Sequence, residues 1–168
     1  MARVVIADAG PLIAFAGIDG LAVPRGLFSQ VRITASVRKE CLVAEGIDAR
    51  RIAACIGDGW LVVEPRGSGS APLTPSLGLG ESDSIRLALN DSERSLLIMD
   101  DRLARRYALR MGLNIVGSVR LLDMAERRGL IECAESGIRR MSDAGYRVST
   151  DLLQQIRKRG FEPGIDPC

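Results

Sequence analysis

The sequence predicts an α/β domain built on a mainly parallel sheet. Short apolar runs rich in β-branched residues alternate with helical stretches along the chain, the pattern of a parallel sheet. The 168 residues, 46% of them hydrophobic, suffice for one domain with a substantial core. Two of the apolar runs end in an acid, Asp8 and Asp100. In such sheets ligands bind beyond the carboxyl ends of the strands.

The elements follow in order. Val4-Val5-Ile6-Ala7 reads as a buried strand. Asp8-Ala9-Gly10-Pro11 turns it into a helix with Pro11 at the first position, ending between Gly17 and Gly20. Val31-Arg32-Ile33 is a second strand, and Thr34 can cap a helix over 35–45. A helix over 48–56 leads to a strand at Trp60-Leu61-Val62-Val63. Residues 65–79, rich in Pro, Gly and Ser, read as a mobile surface loop or lid. A helix over 80–90 precedes the strand Ser95-Leu96-Leu97-Ile98-Met99. Then come a helix to Met111, a strand Asn114-Ile115-Val116, and a helix over 118–128 terminated by Gly129. Helices near 132–142 and 149–159 complete a single domain over 1–160, with 161–168 as a loose tail.

Composition narrows the chemistry. The chain contains no histidine, which excludes a Ser–His–Asp triad, a histidine base and an H-E-x-x-H zinc site. Only Lys39 and Lys158 are lysine; the other basic residues are arginine. No G-x-x-x-x-G-K-[ST] motif is present, which excludes a P-loop NTPase. Net charge is +2, with the second half more basic than the first, a balance that permits a polyanionic partner. Cys41, Cys55, Cys133 and Cys168 form no C-x-x-C pair and read as reduced thiols of a cytoplasmic protein. Asp8 and Pro11 interrupt the apolar N-terminal stretch, against a signal peptide. No apolar run is long enough to span a bilayer.

Four carboxylates can meet. Asp8 and Asp100, with Asp101 beside it, stand at strand ends, where each can equally cap the following helix. Glu40 shares a helical stripe with Val37, Cys41 and Ala44 and so points inward. Glu81 shares one with Ile85, Ala88 and Leu89, whereas Asp83, the alternative acid of that helix, aligns with the more polar Arg86, Leu87 and Asn90. Arginine pairing of Glu40, or a helix N-terminal position for Glu81, accounts for these acids as well. Clustered carboxylates repel one another, and a hard divalent cation relieves that cost. An all-oxygen site suits Mg²⁺ or Mn²⁺, ions that promote in-line displacement at a phosphodiester. A receiver-type phospho-acceptor site needs paired acids on the first strand, and a haloacid-type phosphatase needs an acid where Gly10 stands.

Several stretches together resemble a PIN-like branch related to the VapC ribonuclease toxins. They are Val4-Val5-Ile6-Ala7-Asp8-Ala9-Gly10-Pro11-Leu12-Ile13, Val37-Arg38-Lys39-Glu40, Gly80-Glu81-Ser82-Asp83-Ser84-Ile85 and Leu97-Ile98-Met99-Asp100-Asp101-Arg102. Val116-Gly117-Ser118-Val119, Arg128-Gly129-Leu130-Ile131 and Ala144-Gly145-Tyr146-Arg147-Val148-Ser149 extend the match over nearly the whole chain. The resemblance implies a three-layer α/β/α fold, a metal-dependent endoribonuclease site, a homodimer and a protein antitoxin. Carried over by position, the catalytic acids are Asp8, Glu40, Glu81 and Asp100, with Asp8, Glu40, Asp100 and Asp101 on Mg²⁺ or Mn²⁺ and Glu81 completing the shell or positioning water. VapC-type proteins often carry a hydroxyl after the first Asp and another before the last; here Ala9, Gly10 and Met99 hold those places.

Arg102, Arg106 and Arg110 fall at i, i+4 and i+8, with Arg105 beside them. They read either as RNA phosphate contacts or as a solvated helix face. Aromatics are only 4% of residues, against a dedicated base-stacking platform. The leading expectation is therefore a metal-dependent endoribonuclease toxin acting on RNA. A non-catalytic PIN-like module that binds RNA or protein is the alternative.

Overall fold

The computed structural model describes residues 3–65, 71–90, 92–148 and 154. Five strands form one all-parallel sheet in the order β3-β2-β1-β4-β5. They are β1 (Val4–Ala7), β2 (Val31–Thr34), β3 (Leu61–Glu64), β4 (Ser95–Ile98) and β5 (Asn114–Val116). The helices are α1 (Ala9–Gly17), α2 (Ala22–Leu27), α3 (Ala35–Leu42), α4 (Ile47–Gly57), α5 (Leu79–Leu89), α6 (Arg102–Arg110), α7 (Ser118–Arg127) and α8 (Ala134–Asp143).

Strand side chains alternate between two cores, which makes the fold a three-layer α/β/α sandwich. Val5, Ala7, Val31, Ile33, Leu96 and Ile98 pack on one face with residues of α1 to α4, α7 and α8. Ile6, Leu97 and Met99 pack on the other with α5 and α6. In-register neighbours such as Ile6 and Leu97 share a face. Burying strands on both sides is why their sequences read as continuous apolar runs.

Most boundaries fall within a residue or two of expectation, and the differences have local causes. The α1 helix starts at Ala9, so Pro11 sits inside its first turn, where a missing N–H breaks no helical bond. Thr34 caps α3 through its side chain, accepting from Val37 N at 3.2 Å. That helix ends at Leu42 rather than 45, leaving Ala44 exposed and outside it. The six-residue α2 carries Pro24 and Gly26 and is too short to show a periodic stripe. Gly129 at φ +69° closes α7 in the left-handed conformation.

The loop expected to be mobile is pinned where it is described. Leu77 is buried, Leu73 N donates to Ser82 Oγ at 2.9 Å, and Arg86 Nη2 donates to Ala71 O at 2.7 Å. Residues 66–70, the helix expected over 149–159 (Gln154 apart) and the tail at 161–168 lie outside the described residues. Cys41 and Cys55 are free and buried. Among the described residues no helix is long and apolar enough to cross a membrane.

Candidate active site

The parallel sheet sends every strand's carboxyl end to one edge, and the helices that follow begin there. A cleft of about 990 Å³ opens at this edge. It is lined by Asp8, Glu40, Glu81, Asp100 and Asp101, so the structure brings together all five acids expected at the site. Helix N-termini carry roughly half a positive charge each, and each acid of the cleft meets one.

Asp8 ends β1 at the N-cap position of α1, yet its side chain makes no capping hydrogen bond. It is 5% exposed, and its Oδ1 is buried without a partner. Burial, reinforced by the nearby Glu81, Glu40 and Asp100 and opposed by the Ala9 backbone N–H, pushes its carboxyl up to about 7. Capping therefore does not explain this acid.

Asp100 lies two residues beyond the end of the neighbouring β4 and is held by Ser118 at the start of α7. Ser118 N donates to Oδ1 at 2.8 Å and Ser118 Oγ to Oδ2 at 2.5 Å. The register puts them side by side, because Met99 N donates to Val116 O at 3.0 Å. The Tyr146 phenol also reaches Asp100 and Ser118; burial and that carboxylate hold the phenol above its ordinary pKa.

Asp101 caps α6, its Oδ1 accepting from Leu103 N at 2.8 Å and Ala104 N at 2.9 Å. Capping accounts for this acid, and one of its oxygens is committed. Glu81 accepts from Gly78 N at 2.8 Å at the start of α5. Its carboxyl is raised chiefly by burial. Glu40 lies against the same helix start, where a β-carbon at Gly80 would collide with its carboxylate. Its carboxyl too is raised by burial.

Two stripe assignments need correction. Glu40 lines the cleft, partly shielded there, and does not enter the core. Asp83, expected on a polar face, is fully buried beneath α3, taking hydrogen bonds from Ser36 Oγ and from Arg86 Nη1, the latter at 2.8 Å. The reason is that α5 packs against α3 as well as the sheet, so two of its faces are covered. Asp83 does not line the cleft.

Of the four expected arginines, Arg102, Arg105 and Arg106 line the cleft and Arg110 does not. The cleft lies at the N-terminal end of α6, and Arg110 is about 12 Å further along the helix axis. Arg120 and Arg147 line it instead. Sequence reasoning missed these two, along with Ser118 and Tyr146. Ser118 had a readable signal: Gly117-Ser118 follows a strand as Asp100-Asp101 does.

The donor set suits a hard divalent cation: all carboxylate oxygens, one of them orphaned and buried. Among the described residues, however, no three acids converge to ligand geometry. Glu81, Asp100 and Asp101 each spend oxygens on protein donors.

No curated protein matches the chain. The fold is similar to a PilT N-terminus domain protein from the hyperthermophilic archaeon Sulfolobus solfataricus P2, at 16% identity and a TM-score of 0.45, over 72% of this chain and 92% of that one. Residues 4–162 match the family DUF3368, a PIN domain. With nearly its whole length matched, the chain belongs to this PIN-domain family, whose domains are in general nucleases.

Proposed function

We propose that the cleft is the active site of a divalent-cation-dependent endoribonuclease. The observation that carries it is the Asp8 carboxylate, buried with an unpartnered oxygen and facing Glu40, Glu81 and Asp100. Burial of such a group without a partner costs free energy that protonation or a bound cation would offset, and only the cation also relieves the repulsion from Glu40, Glu81 and Asp100.

Asp8, Glu40 and Asp100 would hold the cation, Mg²⁺ or Mn²⁺. When bound, it supplies charge neutralisation and acidifies a water. Glu81 accepts a hydrogen bond from Gly78 and keeps a second oxygen to orient the attacking water. Arg102 and Arg106, exposed on the rim, bind phosphates of the strand on either side. The likeness to VapC toxins extends the proposal to a homodimer silenced by a protein antitoxin.

The test is cleavage of RNA oligonucleotides by purified protein with Mn²⁺, beside Asp8→Asn and Asp100→Asn. Cleavage by the wild type alone supports the reading; equal cleavage by all three sinks it. Growth arrest on expressing the wild type but not Asp8→Asn tests the toxin role. The oxygens that Glu81, Asp100 and Asp101 already spend on protein donors favour a second reading, a PIN domain that binds RNA without cutting it. Retarded RNA mobility with no heat of Mn²⁺ binding supports that one.

A further inference from the structure

The arginines of the cleft are not equivalent. Arg102, Arg106, Arg120 and Arg147 are exposed, whereas Arg105 is half-buried. Arg105 Nη1 donates to Met99 O at 2.8 Å, the carbonyl immediately before Asp100. That anchor uses one of five guanidinium N–H donors. Gly117 fixes where the head group lies. A β-carbon there would stand 2.8 Å from Asp100 Oδ1 and 3.1 Å from Arg105 Nη1. Guanidinium and carboxylate thus share the space over one glycine. Both Asp100 oxygens are served by Ser118, and among the described residues Arg105 forms no ion pair, whereas Arg120 is tied to Asp123.

We propose that Arg105 is a catalytic residue of the nuclease reaction, its remaining N–H edge donating to a non-bridging oxygen of the scissile phosphate. The inference rests on the nuclease reading above. In the hydrolysis, the water oxygen bonds to phosphorus as the bond from phosphorus to the leaving ribose oxygen breaks. One water proton passes to a cleft carboxylate, and the leaving oxygen takes a proton from solvent. Negative charge grows on the phosphoryl oxygens during this step, and a donor already fixed in place meets it without reorganisation. An exposed arginine must first surrender rotamer freedom to do the same. Arg102 and Arg106 therefore contribute affinity, and Arg105 contributes rate.

The test uses a labelled single-stranded RNA oligonucleotide with Mn²⁺ and steady-state kinetics. Arg105→Ala is expected to lower kcat about 10²-fold with KM nearly unchanged. Added guanidinium ion is expected to restore part of the lost rate. Arg105→Lys keeps the charge but loses the fork, and is expected to fall between the two. Arg106→Ala is expected to act on KM, lowering the salt slope of binding by about 1. Should Arg105→Ala not fold, Arg105→Gln, which keeps an amide donor for Met99 O, meets the same criterion. An effect of the Arg105 variants on KM alone overturns the catalytic role and leaves the nuclease reading standing. Failure of the wild type to cleave RNA overturns both.

Discussion

Ser118 gives each oxygen of Asp100 a donor, the backbone N–H to Oδ1 at 2.8 Å and the hydroxyl to Oδ2 at 2.5 Å. The hydroxyl missing beside Met99 in the sequence thus arrives from the adjacent strand's end. It fixes the carboxylate plane at the start of α7.

Ser118→Ala removes the hydroxyl and keeps the backbone donor. Supporting partners of this kind are worth about 10–100-fold in metal affinity or activity, and a loss in that range is expected in calorimetric Mn²⁺ titration. An unchanged affinity would show that the hydroxyl merely packs.

Asp8 makes stability fall as pH rises. Its carboxyl stands at about 7 in the folded protein against 3.8 as the ordinary value. The folded state therefore binds more protons between these limits, and stability is lost as pH climbs through them. At about 1.4 kcal/mol per pH unit the full loss is about 4 kcal/mol. In metal-free buffer, Asp8→Asn should melt higher than the wild type at pH 8, with the gap closing toward pH 4. Parallel melting profiles would contradict a buried, ionising Asp8.

A bound cation should reverse that penalty. At about 100 times its Kd, Mn²⁺ would stabilise the wild type by about 2.7 kcal/mol. The shift in melting temperature should vanish in Asp8→Asn and Asp100→Asn. Asp101→Asn should keep it, since asparagine also caps α6 and the Asp101 Oδ1 is already committed. A shift that survives in Asp8→Asn would place the cation elsewhere.

Asp83 and Glu81 should separate stability from chemistry. Asp83→Ala strips a fully buried carboxylate from Ser36 and Arg86, at a cost of about 3–5 kcal/mol in urea unfolding. Glu81→Gln should change stability by no more than about 0.5 kcal/mol while reducing RNA cleavage. The opposite pattern would exchange the two roles.

The sequence by itself determined the order and kind of the elements, α2 apart, and the sheet edge at which the acids gather. Runs such as Val4–Ala7 and Ser95–Ile98 are apolar on both faces because helices cover both, and that signal is local. Parallel strands then force Asp8 and Asp100 to one edge without further information. Only the tertiary structure decided which neighbours each acid keeps. A periodic stripe reports one buried face, so it misplaced Asp83 on α5, a helix covered on two. It also set Glu40 toward a core when the residue faces the cleft. Ser118 and Tyr146 reach Asp100 through strand register and chain reversal, across separations that no helical period encodes. The unpartnered oxygen of Asp8 is likewise a property of packing: the sequence supplies the carboxylate, and the surrounding fold offers that atom no donor.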